Sequence, residues 1–208
     1  LFRSVFRGCI RGCRFCQAGM IYRPVREKSA SRLLEDAKLL IDSTGYEEIS
    51  LSSLSTSDYT QFKELSEKLL CITEDKKINL SLPSLRVDNF SLDLMEKVQK
   101  VRKSSITLAP EAGSQRMRDV INKQVTKEDL LKSVYLTFSG GWTSIKLYFM
   151  IGLPYEALDD VIEIAHLGEE VVDTFYTLPK DKRKRGVNLT ISASSFVPKP
   201  FTPFQWAK

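Results

Sequence analysis

An alternation of short apolar runs with helix-periodic segments constrains the fold of this chain more than any other feature. The runs Phe2 to Phe6, Glu48 to Leu51, Ile78 to Leu82, Ser105 to Ala109, Ser144 to Ile151 and Val187 to Ser192 read as strands. Several are apolar at consecutive positions, the pattern of strands covered on both faces. Leu33, Leu34, Ala37, Leu40 and Ile41 form one helical stripe with Ser31 as its cap. Phe62, Leu65, Leu69 and Ile72 form a second after Ser57 and Asp58, and Leu92, Leu94, Met95 and Val98 mark a shorter third helix. A broken fourth region runs from Ser114 to Ile121 and from Lys127 to Thr137, with Thr126 and Asp129 as a capping box between its halves. Leu158, Val161, Ile162, Ala165 and Val172 give a fifth stripe. Six strands joined by five helical connections imply an α/β fold with a parallel sheet and right-handed crossovers, open or curled toward a barrel.

At 208 residues, 42% hydrophobic and 27% charged, the chain has an ordinary globular composition, which excludes disordered, collagenous and coiled-coil classes. No Gly/Ser-rich linker divides it, so residues 1–208 are expected to form one domain. No apolar stretch is long enough to cross a bilayer and no secretory leader opens the chain, so no membrane partner is expected. The start at Leu1, already inside a strand candidate, suggests a domain cut from a longer chain. The net charge of +5 is compatible with an anionic partner without specifying one.

Cysteine placement narrows the chemistry. Of four cysteines, Cys9, Cys13 and Cys16 fall within eight residues, and Cys71 stands far away. That clustering suits a metal site in a reducing compartment, the cytoplasm, rather than a disulfide framework. The segment RGCIRGCRFCQAG (Arg7 to Gly19) spaces them C-x3-C-x2-C directly after the first strand candidate, where βα folds place their sites. A structural zinc ion wants four ligands, and the fourth would have to be Cys71 or His166. A [4Fe–4S] cluster on three thiolates leaves one iron open.

This spacing, with Phe15 before the last cysteine, resembles the signature of the radical S-adenosylmethionine (SAM) superfamily. The resemblance implies a (β/α)6 partial TIM barrel with parallel strands. It implies a [4Fe–4S] cluster held by Cys9, Cys13 and Cys16, and SAM bound at the open iron and cleaved reductively to a 5′-deoxyadenosyl radical. Phe15 would lie near the adenine. The family's usual Gly-Gly-Glu stretch after the second strand is replaced by SSLSTSDY, leaving Ser53, Ser55 and Asp58 as candidate contacts. LAPEAGSQRMRDVINK (Leu108 to Lys123) resembles the family's E-x-G-S … N-[KR] pattern. By that match Glu111 would bind the ribose hydroxyls and Lys123 the methionine carboxylate, with Ser114 also at the cofactor. MIGLPYEALDD (Met150 to Asp160) resembles M-x-G-[LF]-P-x-E-[ST]-x-[ED], with Ala157 in place of Ser or Thr. It would place Gly152 under the adenine, and Glu156 near a helix start would complement the dipole. GMIYRPVREKS and the ending SFVPKPFTPFQW look most like radical SAM proteins often joined to a cobalamin-binding-like domain.

The partners implied are an unidentified substrate, RNA or protein among the candidates, an electron donor such as a flavodoxin or ferredoxin, and other domains of the full-length chain. No cobalamin-ligating D-x-H-x-x-G pattern is present. Cys71 alone could not build the second cluster of methylthiotransferases. Cys71 reads as a bystander and His166 as a helix-surface or core-edge residue. Arg3, Arg7, Arg11, Arg14, Arg23 and Arg26 near the cysteines read as an anion site, as charges tuning the cluster, or as solvated loop charge. The run Lys180, Lys182, Arg183, Lys184, Arg185 reads as a soluble loop. The reading from another class is a non-catalytic iron–sulfur or zinc module that contacts RNA.

Overall fold

The structure, a computed structural model, describes residues 2–81, 106–183 and 185–207. In chain order the first elements are β1 (Phe2–Ser4), β2 (Phe6–Arg7), α1 (Ala18–Ile21), β3 (Arg26–Glu27), α2 (Ala30–Thr44), β4 (Glu48–Ser52), α3 (Phe62–Asp75) and β5 (Asn79–Ser81). There follow β6 (Ile106–Glu111), α4 (Gln115–Val120), α5 (Lys127–Ser139), β7 (Ser144–Ile151), α6 (Leu158–Tyr176) and β8 (Asn188–Ser195). The third helical stripe, Leu92 to Val98, lies outside the described residues, as do Leu82, Ser105 and Lys184. The chain divides into two compact units, Leu1–Ile10 with Tyr22–Ser104 and Arg11–Ile21 with Ser105–Lys208.

In the first unit β1, β4 and β5 form a parallel sheet in that order. The expected strand over Phe2 to Phe6 is split after Ser4, and β2 leaves the sheet to pair antiparallel with β3. Ile49, Ser50 and Leu51 are buried in succession, so β4 is covered on both faces as its sequence suggested. Leu33, Ala37 and Ile41 on α2 and Leu65 and Leu69 on α3 pack with Ile49, Leu51 and Leu80 into one core. Each fully buried leucine of this kind contributes about 1.5–3 kcal/mol. The cap of helix α2 lies two residues earlier than the expected Ser31. Ser29, in extended conformation, accepts a hydrogen bond from Arg32 N at 3.3 Å, and the Ser31 hydroxyl lies against that of Ser29.

In the second unit β6, β7 and β8 are parallel in that order, and β7 and β8 run in unbroken register from Ser144↔Asn188 to Ile151↔Ser195. Ile145, Leu147 and Phe149 are buried and alternate with half-buried or exposed Lys146 and Tyr148, so β7 has one covered face rather than two. The capping box at Thr126 and Asp129 forms as expected. Helix α6 turns a different face inward from the expected stripe. Ile164, Leu167, Val171 and Phe175 are buried, while Leu158 and Ile162 are exposed. Two facts select that face: Gly168 lets the helix seat on Ile191, and Phe175 stacks edge-on against Phe138 at 5.1 Å.

The loop after β6 is shaped by a buried guanidinium. Arg118, 1% exposed, donates to the carbonyls of Ala112 and Gly113 at 3.0 and 2.6 Å and to Gln115 Oε1 at 3.0 Å. Desolvation lowers its pKa, and the carbonyl cage offsets that cost. Gly113 lies against the backbone of α6, so that an added Cβ would fall 2.3 Å from Ile164 N. Gly113→Ala is therefore expected to cost about 1–3 kcal/mol through displacement of α6. A lowered midpoint in urea denaturation of the variant checks this.

Candidate functional site

The cysteine loop is held down by backbone and side-chain tethers. Cys16 N donates to Cys13 O at 3.1 Å, closing a turn that presents the two residues together at the start of α1. Arg14 N donates to Ile121 O at 2.9 Å and Arg14 Nη1 to Val120 O, which satisfies carbonyls at the end of α4. Asn122 Nδ2 donates to Gly12 O at 2.8 Å, and Gln17 Nε2 to Pro200 O at 3.1 Å. Phe15 packs into an apolar cluster with Ala112, Met117, Ile121, Leu153 and Phe204. One cluster thus joins the cysteine loop, the loops after β6 and β7, and the proline-bearing tail.

Cys9 belongs to the first unit, and Cys13 and Cys16 to the second. Cys9 is buried, Cys13 and Cys16 are half-buried, and none is in a disulfide. Among the described residues no three His, Cys, Asp or Glu side chains are arranged to hold a metal ion. Cys71 is exposed on α3, and His166 is an exposed helix-surface residue whose pKa is raised by its hydrogen bond to Glu163.

The candidate SAM contacts divide by unit. In the first, Ser53 Oγ lies 2.7 Å from Thr56 Oγ1 and Ser55 Oγ donates to Asp58 Oδ2 at 2.6 Å, a turn closed beyond β4. In the second, a register shift in β6 between Leu108 and Glu111, at Pro110, which has no N–H to donate, turns Glu111 into the left-handed region at φ 70°. Its carboxylate accepts a hydrogen bond from Lys123 Nζ at 3.0 Å, and both side chains are largely buried. The two residues expected on separate ends of SAM therefore meet each other. Asn122 and Gln124 also have positive φ, of 53° and 55°. With Glu111 they make three strained non-glycine positions around one ion pair, a pattern that concentrates at functional sites.

Gly152 follows β7 at φ 79° with open space where a Cβ would stand, and its N–H donates to Glu156 Oε2 at 2.6 Å. Glu156 stands two residues before α6, near the helix start as expected, and its carboxylate also closes this turn. Ser114 caps α4 by accepting from Met117 N at 3.1 Å and donates to Asp160 Oδ1 at 2.5 Å.

Sequence reasoning missed Asp160. Buried at the start of α6, its carboxylate accepts from Ser114, from Arg116 Nε and Nη2, and from Ala157 N at 2.8 Å. It fastens the β6–α4 loop to the β7–α6 loop. Its place as the last acid of the stretch after β7 was visible, but partners more than forty residues upstream were not. Asn122 was likewise part of a quoted pattern, and its role is to hold the cysteine loop.

With this geometry in place, comparison with known proteins identifies the family: the radical SAM superfamily model matches residues 4–168. The chain belongs to the radical SAM superfamily. Enzymes of this superfamily use a [4Fe–4S] cluster and SAM, and the chain is a radical SAM enzyme domain. It is 34% identical over 202 residues to Uncharacterized protein MJ0966 of Methanocaldococcus jannaschii, covering 97% of this chain and 41% of that protein. It is 26% identical over 192 residues to the tRNA-2-methylthio-N(6)-dimethylallyladenosine synthase of Acetivibrio thermocellus, covering 86% of this chain and 39% of that one. The chain therefore spans about two-fifths of the length of these relatives. Among solved structures, the radical SAM methyltransferase TsrM from Kitasatospora setae, with cobalamin and a [4Fe–4S] cluster bound, superposes with a TM-score of 0.69 at 13% identity. That match covers 98% of this chain and 38% of TsrM. The fold class is thus the partial barrel of radical SAM enzymes, with the parallel strands expected from the sequence. No described helix is long and apolar enough to cross a membrane.

The Asp160 clamp sets an acid limit on stability. Its hydrogen bond from Arg116 is the main reason its pKa falls from 3.8 to about 2. A depressed carboxyl pKa stabilises the fold above the unfolded value and loses that contribution as pH falls through the folded one. Arg116 is half-exposed, so screening reduces the contribution to about 1–2 kcal/mol, lost between about pH 4 and pH 2. Urea midpoints measured across that range should fall steeply in the wild type. In Asp160→Asn they should start lower at neutral pH and fall less.

Proposed function

We propose that Cys9, Cys13 and Cys16 hold a [4Fe–4S] cluster, and that SAM bound beside it is cleaved to a 5′-deoxyadenosyl radical that modifies an RNA or protein acceptor. The observation that carries this reading is the cysteine loop itself. It carries three thiols in C-x3-C-x2-C spacing, none of them in a disulfide, and its part from Arg11 onward is tethered to the end of α4 within the unit that holds Glu111, Lys123 and Gly152. Soft thiolates suit an iron–sulfur cluster, and a set of three rather than four leaves a coordination position for SAM. Bound there, the cluster supplies the electron that splits the S–C5′ bond.

The chain's own groups bind and orient. The Glu111 carboxylate accepts hydrogen bonds from a ribose diol, and Lys123 offers its ammonium to the methionine carboxylate. With SAM bound, Glu111 and Lys123 would exchange their mutual bond for bonds to the ligand. Phe15 walls the adenine side, and the glycine turn at Gly152 leaves room for the base. Asn122 and Arg14 keep the cysteine loop at the end of α4, and Asp160 keeps the loops after β6 and β7 in register. An RNA acceptor is supported by the tRNA-modifying relative.

Anaerobic reconstitution with iron and sulfide should load about four irons per chain and yield 5′-deoxyadenosine only with a reductant. Cys13→Ala should lose both cluster and nucleoside. A single bound zinc, or a cluster with no nucleoside formed, overturns the reading. Glu111→Gln should retain the iron and bind SAM about tenfold more weakly, as expected for a lost charged hydrogen bond.

A further inference from the structure

The first 26 residues contain six arginines and no aspartate or glutamate. Two of them, Arg7 on β2 and Arg26 on β3, stand directly opposite each other across the antiparallel pair, and both are exposed. Like charges in this register repel, and a hairpin this short has little pairing energy to spare. Neither side chain has an ion-pair or hydrogen-bond partner among the described residues, and neither has Arg23. The nearest acid in the sequence, Glu27, is engaged by the N–H and hydroxyl of Thr60. The hairpin therefore presents positive charge that the described residues do not neutralise.

The same surface leads to a cysteine. Arg23 lines an open cavity of ≈ 580 Å³ together with Cys9, Ile10, Pro24 and Val25. Ile10 and Tyr22 are each 57% exposed beside it. Arginine mixed with exposed aliphatic and aromatic side chains is the composition of protein interfaces. A face read by RNA would instead stack bases on aromatic rings, and among these residues only Tyr22 offers one.

We propose that the β2–β3 hairpin, with Arg7, Arg23 and Arg26 around the Cys9 cavity, is the docking face for a small acidic electron-donor protein of the flavodoxin or ferredoxin class. This rests on the proposed role of Cys9 as a cluster ligand. The donor loses one electron and the cluster gains it, with no atom transferred. The uncompensated arginines steer the acidic donor and orient it with its redox group toward Cys9.

The test compares this chain with the triple variant Arg7→Ser, Arg23→Ser, Arg26→Ser, and with the control Lys38→Ser, Lys132→Ser, which removes exposed charge elsewhere. Oxidised flavodoxin is the binding probe, titrated calorimetrically at low and at high salt. The triple variant should bind at least about tenfold more weakly at low salt and lose most of the salt dependence, with the control unchanged. Its urea midpoint should be unchanged or higher, since it relieves a repulsion. After reconstitution, 5′-deoxyadenosine formation driven by reduced flavodoxin should fall in parallel, while that driven by dithionite stays the same. Equal binding by wild type and triple variant, or no binding by wild type, overturns the docking face. Loss of tRNA binding with flavodoxin binding retained overturns it in favour of an RNA surface. If dithionite yields no nucleoside from the wild type, the cluster reading fails, and the binding titration still decides the docking face.

Discussion

The carboxylate of Asp160 is the point on which the second unit's strand-end loops depend. One ionised group accepts hydrogen bonds from Ser114, Arg116 and the backbone of Ala157, so it caps one helix while fixing the loop that precedes another. Glu111 and Gly152, both at positive φ, lie just upstream of these two anchored segments. Arg118 adds a second constraint from within, closing its own carbonyl cage around the turn at Ala112 and Gly113. These loops are placed by buried charge pairing more than by helix or strand propensity.

The ion pair between Glu111 and Lys123 gives that framework a chemical meaning. A largely buried carboxylate and ammonium that satisfy each other avoid the desolvation cost either would incur alone. A ligand that presents both a diol and a carboxylate can replace the pair without leaving a charge stranded, whereas one that presents only half of that chemistry cannot.

Much of the architecture was legible in the sequence because its signals were local. The strand Ser144 to Ile151 was read with its true limits, and the Thr126–Asp129 box forms where the spacing placed it. The failures came where tertiary contacts chose among local options. The apolar arc of α6 is broad, from Val161 and Ile164 round to Ala165 and Val172, so periodicity alone did not select its buried face. Gly168 seated on Ile191 and Phe175 against Phe138 did. Ser29 displaced Ser31 as the α2 cap because either hydroxyl could serve, and only the chain's path before the helix decides. For the site, residue types and their order were legible, but the Glu111–Lys123 contact and the Asp160 clamp join positions that only folding brings together.

Strand β8 carries a consequence of its own. It ends the β6–β7–β8 sheet among the described residues, and most of its length is exposed. Sheet margins are where globular chains begin to polymerise, and their usual protections are charge or proline. Here, apart from Leu189 and Ile191, the strand is built of Thr190, Ser192, Ala193, Ser194 and Ser195, small side chains with little apolar area to bury against a second copy. Pro198 and Pro200 follow at once and deny the backbone beyond it a continuous run of donors. Small side chains and the following prolines thus discourage growth by backbone pairing at this margin and leave the strand open to side-chain contacts.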